Sequence, residues 1–337
     1  MSEFEPHTQL PHTQITNICA FCYRNLVQVS LCGKCRKRKL CSRECQLADW
    51  KTGHKIWCGR SCELGLDFAV RLTDDRGFAV FALREIQRGE KIIAERPIMS
   101  ILKNASVIQN EGFNLDAVME LTPLGSTDLM EKFQMNAMSC NGAEEDSDVE
   151  TGLFMLIARA NHACLANTRQ HFLKDDGVMI LVASRNISID EEITYQYISN
   201  FSSDTYSLLQ SKWKFQCKCR ACVDAEIGEA LRRINEIDSK ILSFGRNAKY
   251  DMALRSGRSL IALYDKLEES PKFYERTYYD MFQIAVSRST TLNDARHFLR
   301  LALEAHILFM GSDTSVTAQE YKQFLDNLSL HSNYLKG

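Results

Sequence analysis

The 337-residue sequence has no apolar run near the ~18 residues that a membrane-spanning helix needs. Its opening, Met1 to Thr16, is polar where a secretion signal would be apolar. Together these absences predict an intracellular protein, in the cytoplasm, the nucleus or both, with no membrane partner. Proline is scarce, 5 residues in all, and with 45% apolar and 25% charged residues the composition excludes collagenous and disordered classes. There is also no excess of one charge: 41 basic residues face 43 acidic ones, so the chain as a whole is not built to coat nucleic acid. At roughly 150 residues per domain the length suggests about two domains, with enough chain to bury a core without staples.

What the sequence does have is 13 cysteines, unevenly placed. Seven lie between Cys19 and Cys58, three between Cys217 and Cys222, and the others are Cys62, Cys140 and Cys164. In a reducing compartment a dense, odd-numbered set is expected to hold metal rather than to form disulfides. The spacings Cys19-x2-Cys22, Cys32-x2-Cys35, Cys41-x3-Cys45 and His54-x3-Cys58 offer seven thiols and one imidazole, enough for two tetrahedral sites. Zinc suits such closed sets of soft ligands, and so small a segment needs metal to supply much of its folding free energy. Spacing alone leaves the assignment of pairs to ions open.

Arg36-Lys37-Arg38-Lys39 lies inside this module, and residues 1 to 60 carry 10 Lys or Arg against 4 Asp or Glu. Bound metal with its thiolates would reduce that excess to about +3, which predicts a solvated surface and at most weak nucleic-acid binding.

Between the two cysteine groups, alternating apolar stretches from Leu66 to Pro97, broken at Asp74 to Gly77 and at Arg88-Gly89, predict β-hairpins. A second β-rich block runs from His171 to Tyr197, with a turn at Asp175 to Gly177. Leu115, Val118, Met119, Leu121, Leu129, Phe133 and Met138 recur at helical spacing, so Ala105 to Met138 is predicted to be helix. The acidic stretch Gly142 to Glu150 is predicted to be a solvated loop. After Cys222 the chain turns to amphipathic segments without cysteine. Ile227, Leu231, Ile234, Ile237 and Ile241 trace one helix face, and further helices are predicted near Asp251 to Glu268, Tyr274 to Ser289, Asn293 to Met310 and Ala318 to Leu330. Ser270-Pro271 marks a helix start and Gly311 a stop. No clean internal repeat is visible.

Arg159-Ala160-Asn161-His162-Ala163-Cys164 places an amide, an imidazole and a thiol within four positions. Asp190 to Tyr197 and Trp213 to Cys222 follow it. Cys217, Cys219 and Cys222 are one thiol short of a tetrahedral zinc site, and Cys164 is the candidate fourth. A site closed in this way would staple the chain near Asn161 and His162 to the segment after Tyr197.

The finger's order of pairs, with Trp50 and Trp57 around His54, resembles the MYND zinc finger. That resemblance implies interleaved pairs: Cys19, Cys22, Cys41 and Cys45 on one ion, and Cys32, Cys35, His54 and Cys58 on the other. It also implies a groove for proline-containing peptides. NHxC, then EEITxxY, then FxCxCxxC resembles the SET domain of lysine methyltransferases, and with the finger the chain is similar to SMYD-type SET and MYND enzymes from about Cys19 to Cys222.

This implies an α+β fold: a polar tail (1–16), a MYND finger (17–62), a SET core (66–200) with a helical insert (103–150), a post-SET zinc segment (201–224) and an all-α, TPR-like tail (225–337). The implied cofactors are S-adenosylmethionine and three Zn²⁺, and the implied partner is a protein bearing the target lysine, met by a monomer. By motif position Asn161 and His162 hold the donor, Phe215 packs on its adenine, Tyr197 stands beside the methyl group and Tyr195 lines the substrate channel. The family's Gly-x-Gly motif falls on Gly77-Phe78-Ala79, with Arg76, Gly77 and Phe78 at donor-contacting positions.

The chain departs from the family pattern at Ala79, the second glycine, where a methyl group or a positive φ would oppose donor binding. It departs again in placing the finger before the SET region instead of within it. A scaffold that has lost its donor and binds partners through finger and tail is therefore the alternative reading.

Overall fold

The computed structural model describes residues 14–102, 107–109, 129–140, 149–198 and 205–337. Most of the polar tail, most of the acidic stretch, Leu115 to Leu121 and the junction at 199–204 lie outside the described residues.

The first part is small and ligand-rich. Strand β1 (Gln14–Ile15) leads into a finger made of the two-stranded pair β2 (Ser30–Leu31) and β3 (Lys39–Leu40) and of helix α1 (Arg43–Asp49). Ser42 caps α1 by accepting from Cys45 N. The finger's own apolar core is little more than Leu26 and Leu40 packed among its thiols, too little to hold it folded.

The central part is β-rich. Its strands are β4 (Phe68–Thr73), β5 (Gly77–Ala82), β6 (Lys91–Glu95), β7 (Met99–Leu102) and β8 (Val107–Gln109), followed after helix α2 (Leu129–Asn136) by β9 (Met138–Ser139), β10 (Val149–Leu153), β11 (Asn161–His162), β12 (Thr168–Leu173), β13 (Val178–Ala183) and β14 (Glu192–Tyr195). They form sheets ordered β1-β4-β5-β14-β11, β8-β7-β10-β9 and β12-β13-β6. Strand β13 is buried along its whole length because both its faces are covered, which is why it reads as the continuous apolar run VMILVA. Fully buried Ile86, Ile92, Phe154 and Ile157 lie in the core joining these sheets, each contributing about 1.5–3 kcal/mol by leaving water.

The predicted helix from Ala105 to Met138 needs correction. Val107–Gln109 is a strand paired with β7, and helix is confined among the described residues to α2, where Phe133 is buried. Two adjacent β-branched residues, Val107 and Ile108, suit that edge better than a helix.

The last part is helical: α3 (Ala225–Arg246), α4 (Tyr250–Leu267), α5 (Pro271–Ala285), α6 (Leu292–Met310) and α7 (Val316–Asp326). Asp224, Ser270 and Ser315 cap α3, α5 and α7 through their side chains, and Gly311 ends α6 at φ +67°. Ile227, Leu231, Ile237 and Ile241 are buried along α3, as their spacing predicts.

Finger, sheets and helices meet on one surface. Trp57 of the finger and Phe309 of α6 pack in one cluster with Val178, Ile180 and Val182 of β13. Arg60 Nη2 donates to Gly311 O at 2.7 Å, and Arg88 lies over the Tyr274 ring while donating to Glu269 O.

Candidate active site and metal centres

Three sets of four ligands converge in space: Cys19, Cys22, Cys41 and Cys45; Cys32, Cys35, His54 and Cys58; and Cys164, Cys217, Cys219 and Cys222. Within each set the ligand atoms lie within 4.8 Å of one another. The measured sulfur separations, 3.6 Å for Cys22–Cys41, 3.9 Å for Cys32–Cys58 and 3.5 Å for Cys164–Cys222, match the roughly 3.8 Å edge of a tetrahedron built on Zn–S bonds of about 2.3 Å. All 13 cysteines are free thiols. Left without a cation the crowded thiols do not all ionise together: burial and the neighbouring thiols push Cys58 up to about 12, while hydrogen bonds from neighbouring groups lower Cys19 and Cys32 despite their burial. A divalent soft metal reverses that balance, so the donor sets fit zinc. The interleaved pairing in the finger is the one the resemblance implies.

The third set ties remote segments together. Cys164 N donates to Cys219 Sγ at 3.3 Å, and Cys164, Cys217 and Ala221 pack against Ile227 and Leu231 of α3. Gly228 of α3 comes so close that a Cβ there would meet Ala221 O at 2.6 Å.

Beside it lies an aromatic group drawn from three places in the chain. The Tyr197 ring is 4.9 Å from Tyr195, 5.2 Å from Trp213, 5.3 Å from His162 and 6.4 Å from Phe215, centroid to centroid. The phenol of Tyr197 donates to Ala160 O at 3.0 Å, and its backbone N–H donates to His162 Nδ1 at 3.0 Å. That bond makes Nδ1 an acceptor and puts the imidazole proton on Nε2, 3.3 Å from Cys164 Sγ. Burial lowers His162 to about 4, so the ring is neutral, with both nitrogens engaged. Burial likewise pushes the Tyr197 phenol above its ordinary range.

Strand β14 positions this group. It runs parallel to β11, pairing Asn161 with Thr194 and His162 with Tyr195, and antiparallel to β5 on its other side. Buried Asn167 holds β14 in place by accepting from Thr194 N and donating to Glu191 Oε1 and Glu192 O. On this strand Glu192 joins two predicted residues: Arg76 Nη1 reaches Glu192 Oε2 at 2.9 Å, and Asn161 Nδ2 donates to Glu192 Oε1 at 2.9 Å.

Gly77 opens β5 at φ +70°, with nothing within 4 Å of where a Cβ would stand. The open space leaves its backbone approachable. Ala79 is extended, pairs with Arg71 and is fully buried; alternation along the strand turns its methyl away from the face of Phe78. The positive φ that would have opposed a side chain there is absent.

Residues 77–198 match the SET domain model and residues 19–58 the MYND finger model. The chain carries a SET domain and a MYND finger, and it is similar to SMYD-type proteins. Similar curated proteins include SET domain-containing protein 14 of Caenorhabditis elegans, 25% identical over 238 residues, covering 64% of this chain and 53% of that protein. N-lysine methyltransferase SMYD2-B of Xenopus laevis is 26% identical over 224 residues, covering 61% and 51%. N-lysine methyltransferase SMYD2-A of Danio rerio is 27% identical over 237 residues, covering 65% and 53%. The chain spans about half the length of these curated relatives.

Sequence reasoning did not single out Glu192 or Trp213. Glu192 lies in the EEIT segment but shows its importance only through the two partners it meets. Trp213 Nε1 donates to Met135 O of α2, a contact across 78 positions that no local pattern reveals. The basic run in the MYND finger is also partly internal: Arg38 pairs with Asp49 at 2.8 Å and Glu63 at 3.4 Å, and Lys39 donates to Thr16 O. Only Arg36 and Lys37 of the four face solvent fully, which weakens the nucleic-acid alternative.

Although the finger precedes the SET domain in sequence, it is docked on it. Tyr23 donates to Glu95 Oε1 at 2.7 Å, and the same buried carboxylate accepts from Leu156 N and Ile157 N, where the turn leading to Asn161 and His162 begins. Glu95→Ala would leave three donors without that acceptor at about 1–3 kcal/mol each, so urea denaturation is expected to show a loss of at least about 3 kcal/mol. Tyr23→Phe, which removes one of the three donors, should cost about 1 kcal/mol. Equal stability of Glu95→Ala and the parent would show that Glu95 does not join finger to core.

Proposed function

We propose that the chain is an S-adenosylmethionine-dependent protein-lysine methyltransferase with three zinc ions, two in the MYND finger and one closing the post-SET segment. The observation that carries this reading is the grouping of Tyr197, His162, Trp213 and Phe215 beside the Cys164 cluster, with Gly77 and the Arg76–Glu192–Asn161 contacts on the same strand set. The open backbone at Gly77 supports a cradle for the donor, with Arg76, Phe78, Asn161, His162 and Phe215 as its contacts. Because both imidazole nitrogens are engaged, His162 would meet the donor through its backbone and ring face.

When bound, the donor supplies an electrophilic methyl group on a sulfonium. A lysine ammonium, with a pKa of about 10.4, cannot attack it, so the pocket must hold the amine neutral. The aromatic walls, Tyr197 with Tyr195 and Trp213, do so by desolvation. The Tyr197 hydroxyl, fixed on Ala160 O, orients the amine's lone pair and stabilises the developing charge. Most of the acceleration comes from alignment, not from a strong base. The substrate is a histone or another protein, and the MYND finger is an interaction module suited to proline-containing peptides. Among the described residues no helix is long and apolar enough to cross a membrane.

Calorimetric titration of the zinc-loaded protein with S-adenosylmethionine tests the reading without knowledge of the substrate. Saturable one-site binding is expected; no binding would favour a scaffold role instead.

A further inference from the structure

Gln196 stands between Tyr195 and Tyr197 just after β14, and it is buried, 8% exposed. The two tyrosine rings lie 4.9 Å apart on one side of the chain, so alternation turns the glutamine side chain to the other. There both ends of its amide are engaged: Nε2 donates to Cys164 O, and Oε1 accepts from Arg169 Nη1. A glutamine can do both, whereas an ionised glutamate has no donor for a carbonyl. Gln170 Nε2 adds a bond to Gln196 O at 3.3 Å, and Thr168 Oγ1 donates to Thr194 O at 2.6 Å. Strands β12 and β14 belong to different sheets, so these side chains tie the segment that carries both tyrosines to β12.

Arg169 continues the line into the helical tail. Its guanidinium lies over the Phe273 ring of α5, 4.4 Å from the ring centroid. Glu269, between α4 and α5, is buried; burial raises its carboxyl above the ordinary range, and the Arg169 charge is the largest effect opposing that rise. Arg169 thus meets the tail through a ring and a charge, and the tyrosine segment through Gln196. A planar cation stacked on one partner and hydrogen-bonded to another cannot follow a shift of the first without disturbing the second. We propose that Arg169 and Gln196 are positioning residues through which the seating of the helical tail sets the placement of Tyr195 and Tyr197. Chains of packed and hydrogen-bonded side chains of this kind carry coupling between remote parts of a fold. The bearing of this link on methyl transfer rests on the methyltransferase reading; the link itself does not.

Zinc-loaded full-length protein carrying fluorotryptophan gives one ¹⁹F signal for each of its three tryptophans, and Trp213→Phe identifies the Trp213 signal by its loss. Trp213, 5.2 Å from the Tyr197 ring, reports the placement of that ring. Phe273→Leu removes the aromatic face under Arg169 and keeps an apolar side chain; it is expected to shift the Trp213 signal and to leave that of Trp50 in place. In a Gln196→Leu background the same tail substitution should no longer shift the Trp213 signal, because the two positions are then independent. A purely local structural role for Gln196 would leave the response to Phe273→Leu intact. Should Gln196→Leu lose zinc or unfold, Arg169→Met breaks the same link from its other end. The proposal is overturned if Phe273→Leu leaves the Trp213 signal unmoved, if the Trp50 signal shifts with it, or if the response persists once the bond between Arg169 and Gln196 is gone. Titration of the same samples with S-adenosylmethionine judges the methyltransferase reading apart from this: no donor binding with the coupling present would end that reading and leave the link standing.

Discussion

Tyr197→Phe is expected to bind S-adenosylmethionine with affinity within about threefold of the parent and to lose about 10²–10³-fold in turnover, the usual cost of removing one preorganised polar group at a reacting centre, here a hydroxyl whose oxygen would face the positive charge developing on the amine. The hydroxyl is the only group deleted, and the rings of Tyr195, Trp213, His162 and Phe215 still pack around the phenyl ring. Loss of its bond to Ala160 O should cost about 0.5–1.5 kcal/mol of stability, too little to unfold the chain. Calorimetry for the donor and methyl transfer to a lysine substrate under saturating donor separate the two effects. Full turnover in the variant would remove Tyr197 from the catalytic role.

Cys217→Ser is the second large expectation. It replaces one soft ligand of the Cys164 set with a hydroxyl that binds zinc poorly, so the zinc content should fall from about three ions per chain to about two. The lost ion would no longer hold Cys164 to the segment carrying Trp213 and Phe215. Donor affinity should then fall by at least about tenfold, in line with the effect of disturbing the shell around a metal site. Zinc in the finger should be unchanged, because its eight ligands lie in a separate part of the fold. Metal analysis with donor calorimetry checks both parts. Unchanged zinc and unchanged affinity together would mean that Cys217 is not a ligand of a third site.

The Ala79 position separates what a motif reading can and cannot say. A missing glycine reads as a threat to donor binding when only the pattern is known. In the fold Ala79 is an extended, buried strand residue, and the position that needs positive φ is Gly77, which is retained. The ground for an inactive scaffold is weakened accordingly. The error over Val107–Gln109 has the opposite origin: apolar spacing compatible with a helix lost to pairing with β7, a long-range contact that periodicity does not register.

From sequence alone came the features that depend on near neighbours. Cysteine and histidine spacings of two or three residues define the ligand pairs, turn chemistry at Asp74 to Gly77 and Asp175 to Gly177 divides the hairpins, and side-chain caps and Gly311 bound the helices of the tail. Cys164 as the candidate fourth member of the third set also follows from the sequence, because three thiols leave one position of a tetrahedron to fill, and it lies with Cys217, Cys219 and Cys222 in the fold. Tertiary structure alone decided which remote groups meet: Glu192 between Arg76 and Asn161, Trp213 against Tyr197, and Glu95 joining Tyr23 of the finger to the turn before Asn161. It alone seated the finger on the SET domain. The physical reason is that ligand spacing, turns and caps are set by backbone geometry over a few residues, whereas the partners of a buried side chain are set by how the sheets and helices pack.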